Sequence, residues 1–129
     1  MKPKIYLAGG FKGGWHNKVI DELKNGCILF NPQQHNLPES EKYTAWDLYH
    51  VDKCDILLGY MAKDNPSGYG LALEIGYAKA KGKLIILVDE RSPEDNQFKK
   101  YFLICKESSD VLFENLESAI SYIKTFALS

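Results

Sequence analysis

Cysteine is scarce in this chain of 129 residues: Cys27, Cys54 and Cys105 are all there is, and they are far apart. An odd number with no Cys-x-x-Cys pair excludes a disulfide scaffold and offers no zinc or redox motif. Each lies in an apolar stretch, so three buried free thiols are expected. Long hydrophobic runs are missing too. A stretch such as Leu84–Val88 is far short of the roughly 20 residues that span a bilayer, and Met1-Lys2-Pro3-Lys4 leads into a strand, not a signal-peptide core. The expectation is a cytoplasmic protein with no membrane partner. Nor does one sign of charge dominate. Sixteen basic against seventeen acidic residues give a net charge of −1, which leaves no broad basic footprint for a nucleic-acid polymer. No repeat, low-complexity tract or linker interrupts the chain, so residues 1–129 read as a single domain.

What is present is an alternation of apolar strands and helical periods. Lys4 to Ala8 is a short strand that stops at Gly9-Gly10, and Trp15 to Lys24 places Val19, Ile20 and Leu23 at helical spacing. Cys27 to Phe30 is a second strand closed by Asn31-Pro32, with a polar loop from Gln33 to Ser40 and a helix from Glu41 to Lys53. Ile56 to Tyr60 is the third strand. Turn chemistry from Asp64 to Gly68 then leads into a helix over Tyr69–Lys81, ended by Gly82. Leu84 to Val88 is the fourth strand, followed by an acidic loop from Asp89 to Asp95 and a helix to Cys105. A short strand at Val111 to Phe113 and a helix from Asn115 to Phe126 complete the chain. Continuous apolar strands linked by helical crossovers imply a mainly parallel sheet covered on both faces. The expected fold is a flavodoxin-like three-layer α/β sandwich of about five strands. Ligands in such sheets bind beyond the carboxyl ends of the strands, so the loops after Ala8, Phe30, Tyr60 and Val88 matter most.

One helix concentrates the chemistry. From Leu71 to Ala78 every side chain is apolar or small except Glu74. A helix apolar on every side should be buried, and burying an unpaired carboxylate costs several kcal/mol. Glu74 must therefore be hydrogen-bonded, ion-paired or facing a ligand cavity. Gly68, Gly70 and Gly76 suit the last of these, because missing side chains let a ligand approach. The Gly-x-Gly here follows the third strand and lacks the full dinucleotide spacing. Gly9-Gly10 and Gly13-Gly14 form a looser glycine loop after the first strand, able to receive a flat ring. Phe11, Trp15, Tyr43 and Trp46 fall on segments that border the same edge, where an aromatic face can stack on a base. His16, His35 and His50 have no sequence partner that suggests a metal site or a base for a nucleophile, and no role is assigned to them.

These residues resemble the nucleoside 2-deoxyribosyltransferases and the related 2'-deoxynucleoside 5'-phosphate N-hydrolases. The resemblance is carried by Ile5-Tyr6-Leu7-Ala8-Gly9-Gly10-Phe11, by Tyr43 to Asp47-Leu48, by Asp55-Ile56-Leu57-Leu58-Gly59, and above all by Gly70 to Ala78 followed by Gly82-Lys83. It implies that Glu74 is the nucleophile, attacking the anomeric carbon of a deoxyribose to leave a covalent deoxyribosyl ester that a second base or water then resolves. It further implies that Asp47 manages the proton on the leaving base and that Tyr6 orients Glu74, in line with the two-carboxylate logic of retaining glycoside chemistry. Gly9, Gly10, Phe11 and Gly70 would border the substrate.

Two departures keep the substrate open between nucleoside and nucleotide. Gly68 stands six residues before Glu74, where the transferases carry an aspartate for the sugar hydroxyls, and Ser67 lies one place further from Glu74 than the serine of the hydrolases. Base exchange on a free 2'-deoxynucleoside is the first expectation. Hydrolysis of 2'-deoxynucleoside 5'-monophosphates, or a nucleotide-binding module without turnover, are the alternatives. No metal or organic cofactor is expected. Asn96 resembles the family asparagine that enters a neighbouring subunit's site. Because a cleft on so few short strands closes poorly around a nucleoside, a homo-oligomer with shared sites is expected.

Overall fold

The computed structural model describes residues 1–64 and 68–127. Strands β1 (Lys4–Gly9), β2 (Ile28–Phe30), β3 (Ile56–Met61), β4 (Leu84–Asp89) and β5 (Val111–Phe113) form one sheet. Helices α1 (Trp15–Leu23), α2 (Ser40–Lys53), α3 (Tyr69–Ala80), α4 (Asn96–Ser108) and α5 (Leu116–Phe126) connect and cover them. The strand order is β2-β1-β3-β4-β5, with every neighbouring pair parallel. This is the strand order of a flavodoxin-like sandwich, the fold expected from the sequence.

Side-chain alternation along the strands decides which layer each residue serves. Ile5, Leu7, Ile56, Leu58, Ile86 and Val88 point to the face covered by α1 and α5, where they pack with Val19, Leu23, Leu116, Ile120 and Ile123. Tyr6, Ala8, Leu57, Ile85 and Leu87 point to the opposite face and pack with Val51 of α2, with Leu71, Ile75 and Ala78 of α3, and with Phe98 and Cys105 of α4. Cys27, Cys54 and Cys105 are buried and unpaired, as expected. Local chemistry sets the helix ends. Asp95 and Asn115 cap α4 and α5 by accepting from the amides of Phe98 and Ser118. Gly82, at φ 73°, stops α3 in the left-handed conformation. There the amide of Gly82 donates to the Lys79 carbonyl and that of Lys83 to the Ala78 carbonyl.

α3 is not buried on all sides. Leu71, Ile75 and Ala78 face the core, but Tyr69 and Leu73 are 80% and 59% exposed. A helix in the outer layer of a three-layer sandwich touches the sheet along one face only, and α2 and α4 flank it without covering the outside. The all-round apolar pattern therefore leaves an apolar outer face. Among the described residues, no helix is long and apolar enough to cross a membrane.

β1 lies between β2 and β3, so the chain leaves β1 toward one side and β3 toward the other. Their carboxyl ends diverge there and open a crevice. Gly9 turns the chain at its rim with φ 148°. A Cβ at this position would stand 2.7 Å from the Tyr60 carbonyl oxygen and 3.0 Å from the Trp15 ring, so only glycine fits.

Two alanine substitutions should therefore shift stability in opposite directions. Gly9→Ala combines a forbidden φ with a backbone clash and should cost roughly 2–3 kcal/mol in denaturant unfolding. Gly76→Ala, in the middle of α3 with nothing within 4 Å of the added carbon, should gain roughly 0.5–1 kcal/mol.

Candidate active site

The site is built from the crevice inward. Tyr6 is fully buried on β1, in register with Leu57 of β3 and Phe30 of β2. Strand alternation aims its ring into the α2–α3 layer, where the hydroxyl donates to Glu74 Oε2 at 2.6 Å. Such short bonds to a carboxylate are among the stronger ones in proteins. Burial pushes the Tyr6 hydroxyl well above the usual tyrosine range, and Glu74 and Asp47 push it further. Tyr6 is thus a permanent donor. Glu74 is raised to about 7, chiefly by burial. Its hydrogen bond from Tyr6 opposes that rise and the nearby Asp47 adds to it.

Asp47 comes from α2, one turn before the buried Val51 that anchors the helix to the sheet. Burial also pushes its carboxyl upward, with His35, the Tyr6 hydroxyl and His50 acting against the rise. Two acids in one low-dielectric pocket cannot both ionise freely, and they titrate as a pair.

Glu74 and Asp47 both line a cavity of about 210 Å³. Gly9 from the end of β1, Gly10 and Phe11 from the loop after it, and Gly68 and Gly70 from the start of α3 form walls of the same cavity. The structure therefore brings together seven of the residues singled out from the sequence, with Tyr6 beneath them. Asn96 is not among them. It is the exposed first residue of α4 and does not cap that helix, because Asp95 does. Ser67 lies outside the described residues. Of the aromatic residues expected at this edge, Phe11 lines the cavity. Trp15 is core, and its indole N–H holds the Gly10 carbonyl at 2.8 Å. Tyr43 lies parallel to His35, and Trp46 stacks on His50 at 3.8 Å. Gly68 makes room for a side chain of this chain as much as for a ligand, since a Cβ there would meet the Phe102 ring at 3.0 Å.

Pro32, Tyr69 and Leu71 also line the cavity and were not anticipated. Neither was His35, whose Nε2 stands 3.4 Å from Asp47 Oδ1. The available signal was positional. Pro32 and His35 sit in the loop after β2, one of the loops that the topology marks for ligands. Phe11 and Pro32 also border a neighbouring cavity of about 530 Å³, which His35 lines. Among the described residues, no group of three or more His, Cys, Asp or Glu side chains could hold a metal ion.

Comparison with known proteins bears on this geometry. Residues 2–92 match the family model described as "Nucleoside 2-deoxyribosyltransferase like". Among solved structures, a 2-deoxyribosyltransferase from Bacillus psychrosaccharolyticus is 26% identical with a TM-score of 0.72, over 96% of this chain and 95% of that one. A 2-desoxiribosyltransferase from Leishmania mexicana is 20% identical with a TM-score of 0.73, over 95% and 97%. The Clostridium botulinum CMP N-glycosidase BcmB is 21% identical with a TM-score of 0.60, over 95% and 98%. The last two likenesses speak to the fold alone. A comparison with curated proteins finds no match.

Burial of Glu74 has a measurable consequence for stability. Between its ordinary value near 4.5 and its native value of about 7, the unfolded chain gives up the Glu74 proton before the native protein does. The native state then binds more protons, so this group's contribution to stability falls as pH rises through that window. Glu74→Gln removes the buried charge and keeps an acceptor for Tyr6. The variant should be more stable than wild type at pH 8 by up to ~3 kcal/mol, and by little at pH 4, as read by denaturant unfolding at both pH values.

Proposed function

The chain belongs to the nucleoside 2-deoxyribosyltransferase-like family, and we propose that it exchanges the base of a 2'-deoxynucleoside through a covalent deoxyribosyl ester on Glu74. The observation that carries this reading is a buried carboxylate, anchored by the Tyr6 hydroxyl at 2.6 Å, that lines the same cavity as a second acid, Asp47. In the first step an oxygen of ionised Glu74 bonds to the anomeric carbon. The bond from that carbon to the base breaks, and its electrons leave with the base, which takes a proton from Asp47. In the second step a nitrogen of the incoming base attacks the same carbon and the ester oxygen departs as carboxylate. Asp47 takes back the surplus proton. Tyr6 steadies Glu74 when it is charged. No metal or organic cofactor enters these steps.

Hydrolysis of a 2'-deoxynucleoside 5'-monophosphate is the second reading. It is favoured by Gly68, which brings no acid to the wall where the first turn of α3 meets the cavity. A 5'-phosphate would meet less repulsion there than beside an aspartate. A module that binds nucleotides without turnover would bind the same ligands and release no base.

The test is incubation with 2'-deoxynucleosides or their 5'-monophosphates, with and without an acceptor base, followed by chromatography of the bases. Exchange with free nucleosides is expected. Preference for monophosphates reverses the order of the two enzymatic readings, and absence of base release removes both. Glu74→Gln should lower turnover more than about a hundredfold, or ~2.7 kcal/mol of barrier. A smaller loss removes Glu74 as nucleophile. The wild-type kcat/KM should fall as pH drops below about 7, because the raised Glu74 then holds its proton.

A homo-oligomer with shared sites is part of the same proposal. Its supports are the exposed Asn96 at the start of α4 and the apolar outer face of α3, where Tyr69 and Leu73 are exposed and Tyr69 also lines the cavity. Glu74→Ala and Asn96→Ala chains, each expected to be nearly inactive, should regain activity when mixed under subunit exchange. A fully active Asn96→Ala protein, or a monomer by light scattering, contradicts the shared site.

A further inference from the structure

His35 stands outside the steps above, yet its surroundings fix both its proton and its orientation. The backbone amide of Leu37 donates to His35 Nδ1 at 3.0 Å. Nδ1 is therefore an acceptor, and the neutral ring carries its hydrogen on Nε2. That N–H faces Asp47 Oδ1 across 3.4 Å. Oδ1 is buried and has no hydrogen-bond partner in this geometry, a state that a slight approach of the imidazole would relieve. The ring has little freedom to turn elsewhere. Its side chain is 10% exposed, with Trp46 edge-on at 4.9 Å and Tyr43 parallel to it at 6.5 Å. The other polar groups around Asp47 are Tyr6, Glu74 and His50. Tyr6 donates to Glu74, and His50 Nδ1 is engaged with the Trp46 carbonyl at 2.8 Å.

A protonated carboxyl can carry its hydrogen on either oxygen. A donor aimed at one oxygen excludes the hydrogen from it. We propose that His35 is a positioning residue that decides which oxygen of Asp47 exchanges a proton with the base: its Nε2–H holds Oδ1, so the transferable hydrogen resides on Oδ2. Oδ2 gives that proton to the departing base and takes one from the incoming base, while His35 keeps its own throughout. The base itself would stand toward Phe11 and Pro32, which border both the main cavity and the one that His35 lines. This role rests on Asp47 being the group that handles the proton.

The test compares His35→Phe, which removes the donor and keeps a ring, with His35→Gln, whose amide can still donate. Each is assayed on 2'-deoxyguanosine and on 7-methyl-2'-deoxyguanosine, whose cationic base leaves without a proton, or on their 5'-monophosphates if those are the substrates. His35→Phe should lower kcat on the ordinary substrate about tenfold or more with KM little changed, and on the methylated one less than about threefold. His35→Gln should recover most of the loss. Equal losses on both substrates, no loss on either, or no recovery by glutamine overturns the proposal. Nitrogen NMR of the imidazole gives a readout that needs no turnover. The hydrogen should be on Nε2 and its resonance should move in Asp47→Asn, whereas a hydrogen on Nδ1 overturns the assignment. Failure of wild type to release any base contradicts the proposed function, and the NMR result still decides the His35 geometry.

Discussion

The hydrogen bond from Tyr6 to Glu74 is the constraint around which the site is arranged. An acid placed in the α2–α3 layer loses most of its hydration, and a single hydroxyl at 2.6 Å offsets part of that loss. The offset exists because β1 alternates strictly: Ile5 and Leu7 serve the α1–α5 side, which forces Tyr6 and Ala8 to the other. A slip of one residue in the register of β1 would send the hydroxyl into the wrong core and leave the carboxylate unsupported. The parallel pairing of β1 with both β2 and β3 prevents such a slip.

From that anchor the electrostatics follow. Burial first, opposed by the Tyr6 hydrogen bond and helped by the second acid, raises Glu74 to about 7. Asp47 is also shifted upward by burial, yet it is surrounded by groups that pull it down, His35 first among them. Two acids with different neighbours can divide the work that glycosyl transfer demands, one attacking and one carrying the proton. The division comes from the neighbours, not from the two carboxyl groups themselves. A binding module would need only the cavity.

The fold was legible in the sequence because its strands are continuous apolar runs bounded by glycine, asparagine and proline, and because helices such as α1 and α5 have clear periods. β2 runs from Ile28, one residue later than expected, and α4 extends beyond Cys105 to Ser108. Both differences lie within the usual fraying of element ends. Glu74 was visible as the only acid in an apolar helix. His35 was not, since its partner Asp47 lies on the next helix and the contact depends on the turn that carries the Leu37 amide to Nδ1. No spacing rule encodes such a turn. The reading of α3 as buried failed for a related reason. Composition reports how apolar a helix is, and only the layer arrangement reports how many of its faces find a neighbour.

That uncovered face bears on how the cavity is completed. Tyr69 is 80% exposed, yet it also lines the cavity, so the outer surface of α3 and the rim of the site are one continuous surface. About 210 Å³ is below the usual 300–1,000 Å³ of ligand pockets, and the adjoining space past Phe11 and Pro32 extends it toward His35. At the start of α3 the cavity is bounded by Gly68, Tyr69 and Gly70. Whatever covers Tyr69 reaches the rim of the cavity as well, because Tyr69 belongs to both surfaces. Area removed from water by contact with Tyr69 would therefore also contribute to ordering that wall of the cavity. In this arrangement the helix that carries Glu74 on its inner edge also couples any contact on its outer face to the geometry of that carboxylate.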